Sequence, residues 1–167
     1  MSEKRLVQRA DKVAFMKVLD KHERMKGFTT QAISKNPKEY TRQYVDELFE
    51  TTDVVGISSS IEFAFDQFRG DPVHDELVKI IDEEKVGTDS VVEIMIVDFT
   101  KEDKTTPGVF EARKRKYSVI PNTEGGSLDA YTYEGTLRVN GAVEVGTATT
   151  TDDWATAVFA PAVVVEP

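Results

Sequence analysis

The chain has 167 residues, 40% apolar and 31% charged, with a formal net charge of −9. That is single-domain size with enough apolar content for a core, which excludes a disordered chain, and the acidic total opposes nucleic-acid binding. There is no cysteine, so a disulfide framework and a thiolate metal site are both excluded.

The opening MSEKRLVQR lacks the apolar stretch of a signal peptide. The longest apolar run, residues 157–165, is nine residues with Pro161 inside it, about half of what a membrane-spanning helix needs. The expectation is a soluble protein made in the cytoplasm. It reads as one domain over residues 1–167, with an N-terminal arm of about residues 1–20 and a C-terminal arm of about 160–167. Charge is unevenly spread. Residues 1–44 carry 11 Lys/Arg against 5 Asp/Glu, residues 45–107 carry 5 against 17, and residues 108–167 carry 5 against 8. A basic start joined to an acidic body suits units that add head to tail, and it also suits a domain that merely scatters its charge.

From Lys4 to Lys17 the spacing of Leu6, Val7, Ala10, Val13 and Ala14 fits a short amphipathic helix, while KVAFMKV (12–18) fits a strand. Residues 21–36 are polar, contain Gly27 and end in Asn36-Pro37, which predicts a long loop. Glu39–Asp46 reads as a strand. After Gly56, Ile61, Phe63 and Phe65 alternate with Glu62, Ala64 and Asp66, the period of a half-buried strand. A helix follows, with Asp71 as cap, Pro72 in its first turn, an apolar stripe of Val73, Leu77, Ile80 and Ile81, and Gly87 as the left-handed stop. Its acidic outer face places it on the outside of a sheet.

Ser90–Phe99 is apolar on both faces, as in a strand covered on both sides. Val109–Ile120 carries Arg113-Lys114-Arg115-Lys116 in its middle, which predicts an edge or intersubunit strand. Tyr131–Val139 alternates, and Asn140-Gly141 before Val143, Val145 and Thr147 predicts a hairpin. Thr149–Asp153 reads as a turn and Trp154–Phe159 as a last short strand. The fold class is therefore mainly β, a sandwich or partly open barrel with one flanking α-helix and a long loop.

Signals for chemistry are weak. The two histidines, His22 and His74, have no metal-ligand spacing, and His74 reads as a solvated helix-surface residue. Ser58-Ser59-Ser60 reads as a polar strand start, and Gly125-Gly126 as a turn without the lysine-serine of a phosphate loop. Acidic pairs such as Glu102-Asp103 and Asp152-Asp153 are expected by chance among 30 acidic residues. A strand splits Arg113/Arg115 from Lys114/Lys116, so no basic face forms for phosphate.

The run NPKEYTRQYVDELFETTDVVGISSSIEFAFDQFRGDPVHDELVKIIDEEKVGTDSVVEIMIVDF (36–99) resembles the major tail tube protein of long non-contractile-tailed phages. RQYVDE and GDPVHDELVKIIDEE carry most of the likeness. LRVNGAVEVGTATTTDDWATAVFAP is similar to that family's closing hairpin and final strand. The resemblance implies a non-enzymatic virion protein without cofactors. Its copies would form hexameric rings that stack into a tail tube, through which double-stranded DNA passes into the host without specific binding. It implies partners in the tape-measure protein, the tail chaperone, the tail terminator and the distal tail proteins, with no membrane. The location would be the virion tail, and the host cytoplasm during assembly. The same fold is implied for tube proteins of contractile tails and secretion systems, which are a further alternative. A monomeric β-sandwich binding or decoration module and an enzyme remain alternatives.

Within this frame the period-two split makes Thr132, Glu134, Thr136 and Glu144 the candidate channel lining, with Tyr131, Tyr133, Leu137, Val143 and Val145 in the core. The basic residues Lys4, Arg5, Arg9 and Lys12 are the candidate inter-ring contacts.

Overall fold

The computed structural model describes residues 4–162. Eleven strands and one α-helix follow in the order β1 (Lys12–Val18), β2 (Lys21–Arg24), β3 (Phe28–Ser34), β4 (Pro37–Arg42), β5 (Thr51–Ile57), β6 (Ser60–Asp66), α1 (Pro72–Asp82), β7 (Val91–Glu102), β8 (Phe110–Glu124), β9 (Thr132–Val139), β10 (Glu144–Thr149) and β11 (Thr156–Pro161). The architecture is mainly β with a single flanking helix, as the sequence predicts.

Two compartments share β1, β7 and β8. On one side, β10 pairs with both β11 and β8, so that β8, β7, β1, β2, β11 and β10 close into a small barrel. Val13, Phe15, Met95, Val97, Ala112, Ala148 and Ala157 fill it, with Phe99, Phe110, Trp154 and Phe159 packed at their margin. On the other side the sheet runs on from β8 through β9 and β6 to β3. Its inner face buries Ile61, Phe63, Phe65, Tyr117, Val119, Tyr133 and Leu137 against Val73, Leu77, Ile80 and Ile81 of α1. Alternate residues of β1 and β7 therefore serve different cores, which is why β7 is apolar on both faces.

The helix begins as expected, with the Asp71 carboxylate accepting from the amides of Val73 at 3.0 Å and His74 at 3.3 Å. Its stop differs from the expectation. Glu84, at φ +50°, supplies the left-handed residue, and Lys85 N–H closes on the Ile80 carbonyl at 3.1 Å; Gly87 lies beyond. His74 is also not a surface residue. It is fully buried among Phe28, Phe65 and Phe68. Nδ1 accepts from the Phe68 amide at 3.0 Å, so Nε2 carries the proton and donates to the Lys26 carbonyl.

Other expectations fail for stated physical reasons. The open choice for residues 12–18 resolves as strand, so the N-terminal arm stops at a short 3-10 turn, Arg9–Asp11, and does not reach residue 20. Residues 21–36 are two strands rather than a loop. The polarity of β3 reflects an exposed edge, where only Phe28 and Gln31 are even half-buried, while β2 is a short barrel strand paired with β1 and β11.

The RKRK strand β8 is no edge over that stretch. It pairs with β7 on one side and with β9 and then β10 on the other. Its charges escape burial because the flanking grooves open to solvent and because Lys114 meets Glu93 and Glu144, each at 3.6 Å. Asn140-Gly141 makes no hairpin, since β9 and β10 do not pair with each other. Both lie antiparallel to β8, end to end. Asn140 N–H still bonds the Lys116 carbonyl at 2.8 Å, and the Gly141 carbonyl accepts from Arg115 Nε at 2.7 Å as the chain crosses between compartments. That crossing shifts the parity of β10. Gly146 and Ala148 point inward, while Val143 and Val145 stand exposed, as does Tyr131, so these three leave the expected core.

Barrel closure rests on a close approach at Gly146, where a Cβ would lie 2.1 Å from the Ala160 carbonyl oxygen and 2.7 Å from the Phe159 ring. Gly146→Ala is expected to cost about 3 kcal/mol by overpacking. Thermal melting should then fall by roughly 6–12 °C. A melting temperature equal to wild type would show that β10 and β11 part without cost.

Candidate functional site

The outward face of β3, β6, β9 and the C-terminal half of β8 is the broad polar surface of the molecule. Register places Glu62 beside Thr136, Ala64 beside Glu134 and Asp66 beside Thr132. Ile120 also flanks Thr136, and Ser118 flanks Arg138. Thr132, Glu134 and Thr136 thus share one face with Glu62 and Asp66, turned away from the buried Tyr133 and Leu137. Three carboxylates against Arg138 leave this face acidic.

Glu144 is not with them. It sits at the mouth of the closed barrel, opposite Lys114, whose ammonium also lies 4.6 Å from the centre of the Phe159 ring. The sheet carrying the acidic face has two open borders. Among the described residues β3 pairs only with β6, and residues 119–124 of β8 pair only with β9 because β7 begins opposite Ser118.

The four basic candidates near the start do not form a patch. Arg5 is held by Asp11 through contacts of 2.9 and 3.2 Å, and this hydrogen bond, with that from the Gln8 amide, keeps the Asp11 carboxyl below the ordinary carboxylate range. Arg9 donates to the Gln31 side chain at 2.9 Å and to the Lys12 carbonyl at 2.6 Å. Lys12 lies 3.9 Å from Asp98, and Lys4 is exposed. Three of the four are thus engaged with their own chain.

Two further surfaces carry no catalytic signature and went unread in the sequence. The β4–β5 hairpin pairs only with itself and stands off the body. A cleft of about 460 Å³ opens between β1/β7 and β3/β6, with Ile33, Ile61, Phe63, Ile94, Ile96 and Leu137 among its apolar lining. It adjoins a second cleft that shares Ile33, Ile94, Ile96 and Arg113 and adds Lys35 and Arg115.

The polar cluster that comes nearest to an active site is His22–Glu93–Lys114. His22 Nε2 lies 3.0 Å from the Glu93 carboxylate, and Lys114 holds the other Glu93 oxygen. It offers proton exchange but no nucleophile. Among the described residues no group of acids and histidines is arranged to hold a metal ion. Burial lowers the affinity of His22 for its proton, with Glu93 offsetting part of that effect. A folded state that binds the proton less tightly than the unfolded chain loses stability as pH falls through the ordinary histidine value of about 6.5. The melting temperature is expected to drop between pH 7 and pH 5, and His22→Gln should flatten that drop. An unchanged slope in the variant would assign the titration to other groups.

No family model and no curated protein matches the sequence. Solved structures share the fold. A chain of the virion of a native gene transfer agent particle superposes with a TM-score of 0.58 at 15% identity, covering 84% of this chain and 98% of its own. A chain of the tail of an empty gene transfer agent particle, refined with C6 symmetry, reaches 0.61 at 14% identity and covers 83% and 97%. A chain of the anti-feeding prophage cap, which terminates that particle's tube, reaches 0.52 at 14% identity and covers 89% and 95%. The fold is thus shared with chains of a gene transfer agent virion and tail and of a tube-terminating cap.

Proposed function

We propose that this chain is a tail tube subunit of a long, non-contractile phage-type tail. Six copies close into a ring around a hollow axis, rings stack, and double-stranded DNA passes through the channel into the host cell. The observation that carries the reading is the acidic outward sheet bounded by two different open borders, β3 and residues 119–124 of β8. Unpaired strand borders invite addition of another strand. Because the two borders differ, a contact between them is heterologous and closes into a ring when the rotation per copy divides a full turn.

Closure turns Glu62, Asp66, Thr132, Glu134 and Thr136 toward the axis, where carboxylates repel DNA phosphates and let the duplex slide. The C6 symmetry of the gene transfer agent tail supports six copies. On this reading the protein is not an enzyme and needs no cofactor. Its partners are further copies, the tape-measure protein, the tail chaperone, the terminator and the distal tail proteins. It resides in the virion tail after assembly in the host cytoplasm.

The fold is also shared with the sheath/tube terminator of an extracellular contractile injection system, at a TM-score of 0.51 and 15% identity, which favours a second reading, a tube subunit inside a contractile particle. A co-purifying sheath protein around the tube would select it.

Electron microscopy of the purified protein at rising concentration is expected to show hollow filaments. Replacing Glu62 and Glu134 with lysine should preserve those filaments but make them retain duplex DNA in a salt-dependent manner. Lone compact particles under every ionic condition would contradict the reading.

A further inference from the structure

We infer that the two adjoining clefts between β1/β7 and β3/β6 bind a single-chain amphiphile with an anionic head group. Its acyl chain lies in the apolar cleft, and its head sits among Lys35, Arg113 and Arg115. The inference goes beyond the tube reading and does not rest on it. The apolar cleft, of about 460 Å³, has the volume of a small-molecule site. Ile33, Ile61, Phe63, Ile94, Ile96 and Leu137 line it, from four different strands. Apolar surface of this extent left open to water is the surface that a hydrocarbon chain would cover.

Register sets the charged end. Across β7 and β8, Ile96 is opposite Arg113 and Ile94 is opposite Arg115. Directly opposed residues share a face of the sheet, so both guanidinium groups rise beside the isoleucine floor. Lys35 completes this mouth, which shares Ile33, Ile94, Ile96 and Arg113 with the apolar cleft. Arg115 is held in place by donating through Nε to the Gly141 carbonyl at 2.7 Å. No carboxylate among the described residues pairs with the three cations. Desolvation, and then repulsion from Arg113 and Arg115, push the Lys35 ammonium below its ordinary value, as expected where cations gather without a counter-ion.

A second observation at the same mouth points to a ligand oxygen. The Ser59 hydroxyl lines it, is only 2% exposed as a residue, and has no protein partner. Buried polar groups are nearly always hydrogen-bonded. The omission is specific to Ser59, because the Asn36 amide serves both neighbours, the Ser58 carbonyl at 3.1 Å and the Ser60 hydroxyl at 3.2 Å. A carboxylate or phosphate head would accept from Ser59 and neutralise the cations. Hydrocarbon alone would leave both unmet, and a nucleic-acid backbone would bring no chain for the isoleucine floor. The site also gives the RKRK motif a use that DNA binding did not, since Arg113 and Arg115 stand on the side of β8 that faces the cleft.

Titration calorimetry on the full chain tests this, with dodecanoate and a lauroyl lysophosphatidylglycerol as probes, both below their micelle concentrations. Saturable one-to-one binding of at least one is expected. Preference for the first assigns a free carboxylate and preference for the second a phospholipid head. Affinity should rise roughly tenfold from decanoate to dodecanoate as two more methylenes enter the cleft. Lys35→Glu/Arg113→Gln should weaken anion binding at least tenfold. Ile33→Glu, at an exposed position, should weaken it as much by placing a carboxylate at the mouth. Ser59→Ala should weaken it several-fold without lowering the melting temperature, since the hydroxyl bonds nothing in the free protein. Circular dichroism confirms that each variant folds. No binding of either anion, equal affinity for dodecanol or dodecyltrimethylammonium, or variants that bind like wild type would overturn the inference. Release of the probe when the protein assembles would give the cleft to a second copy and also overturn it. Each of these outcomes leaves the tube reading standing.

Discussion

Strand β8, fifteen residues long with four consecutive cations, must find hydrogen-bond partners on both flanks up to Ser118, and the rest of the structure follows from how it does so. One flank is satisfied by β7. The other needs β9 and β10 placed end to end, because no single strand can both stay in the outer sheet and turn inward to close the barrel. The crossing at 140–143 is the point where the chain changes compartment. Asn140 and Arg115 keep the ladder's polar groups paired across it. Past Ser118, β8 outruns β7 and is left with a bare border.

The two cores divide labour. The closed barrel, narrow enough that Gly146 must lack a side chain, has no open border of its own and acts as a rigid mount. The open sheet, backed by α1 and the aromatic cage around His74, presents the acidic face and both free borders. Charges that would be costly inside are kept at the seams. Lys114 turns toward Glu93 and Glu144 at the barrel mouth, and Arg113 and Arg115 line the cleft. The same strand therefore supplies a barrel wall, a cleft rim and a sheet border.

Much of this was legible in the residues. The Asp71-Pro72 start and the stripe Val73, Leu77, Ile80, Ile81 define α1, and the alternation at Ile61, Phe63 and Phe65 defines the inner face of β6, because periodicity reports burial directly. Thr132, Glu134 and Thr136 fell on the exposed face for the same reason. What could not be read was long-range pairing. Asn-Gly signals a local turn, yet both flanking strands pair with β8, from Glu124 opposite Tyr133 back to Phe110 opposite Ala148, so the turn joins collinear strands and reverses the parity of Val143 and Val145. Residues 21–36 look like a loop because β2 is only four residues long and β3, an exposed border strand, has no buried face to pattern it. The polar surroundings of His74 in sequence conceal a buried ring, since its aromatic neighbours come from β3 and β6. The basic start looked like a free patch because the acceptors of Arg9 and Lys12, at Gln31 and Asp98, are distant in sequence.

The central claim is that the two bare borders of the outer sheet find each other in different copies of the chain. Amide hydrogen exchange, followed residue by residue before and after assembly, tests it most directly. The account predicts that the amides of β3 and of residues 119–124 exchange quickly in the separate subunit and become protected together in the assembled particle. Protection confined to the hairpin or the N-terminal turn, with both borders still exchanging freely in the assembly, would contradict it.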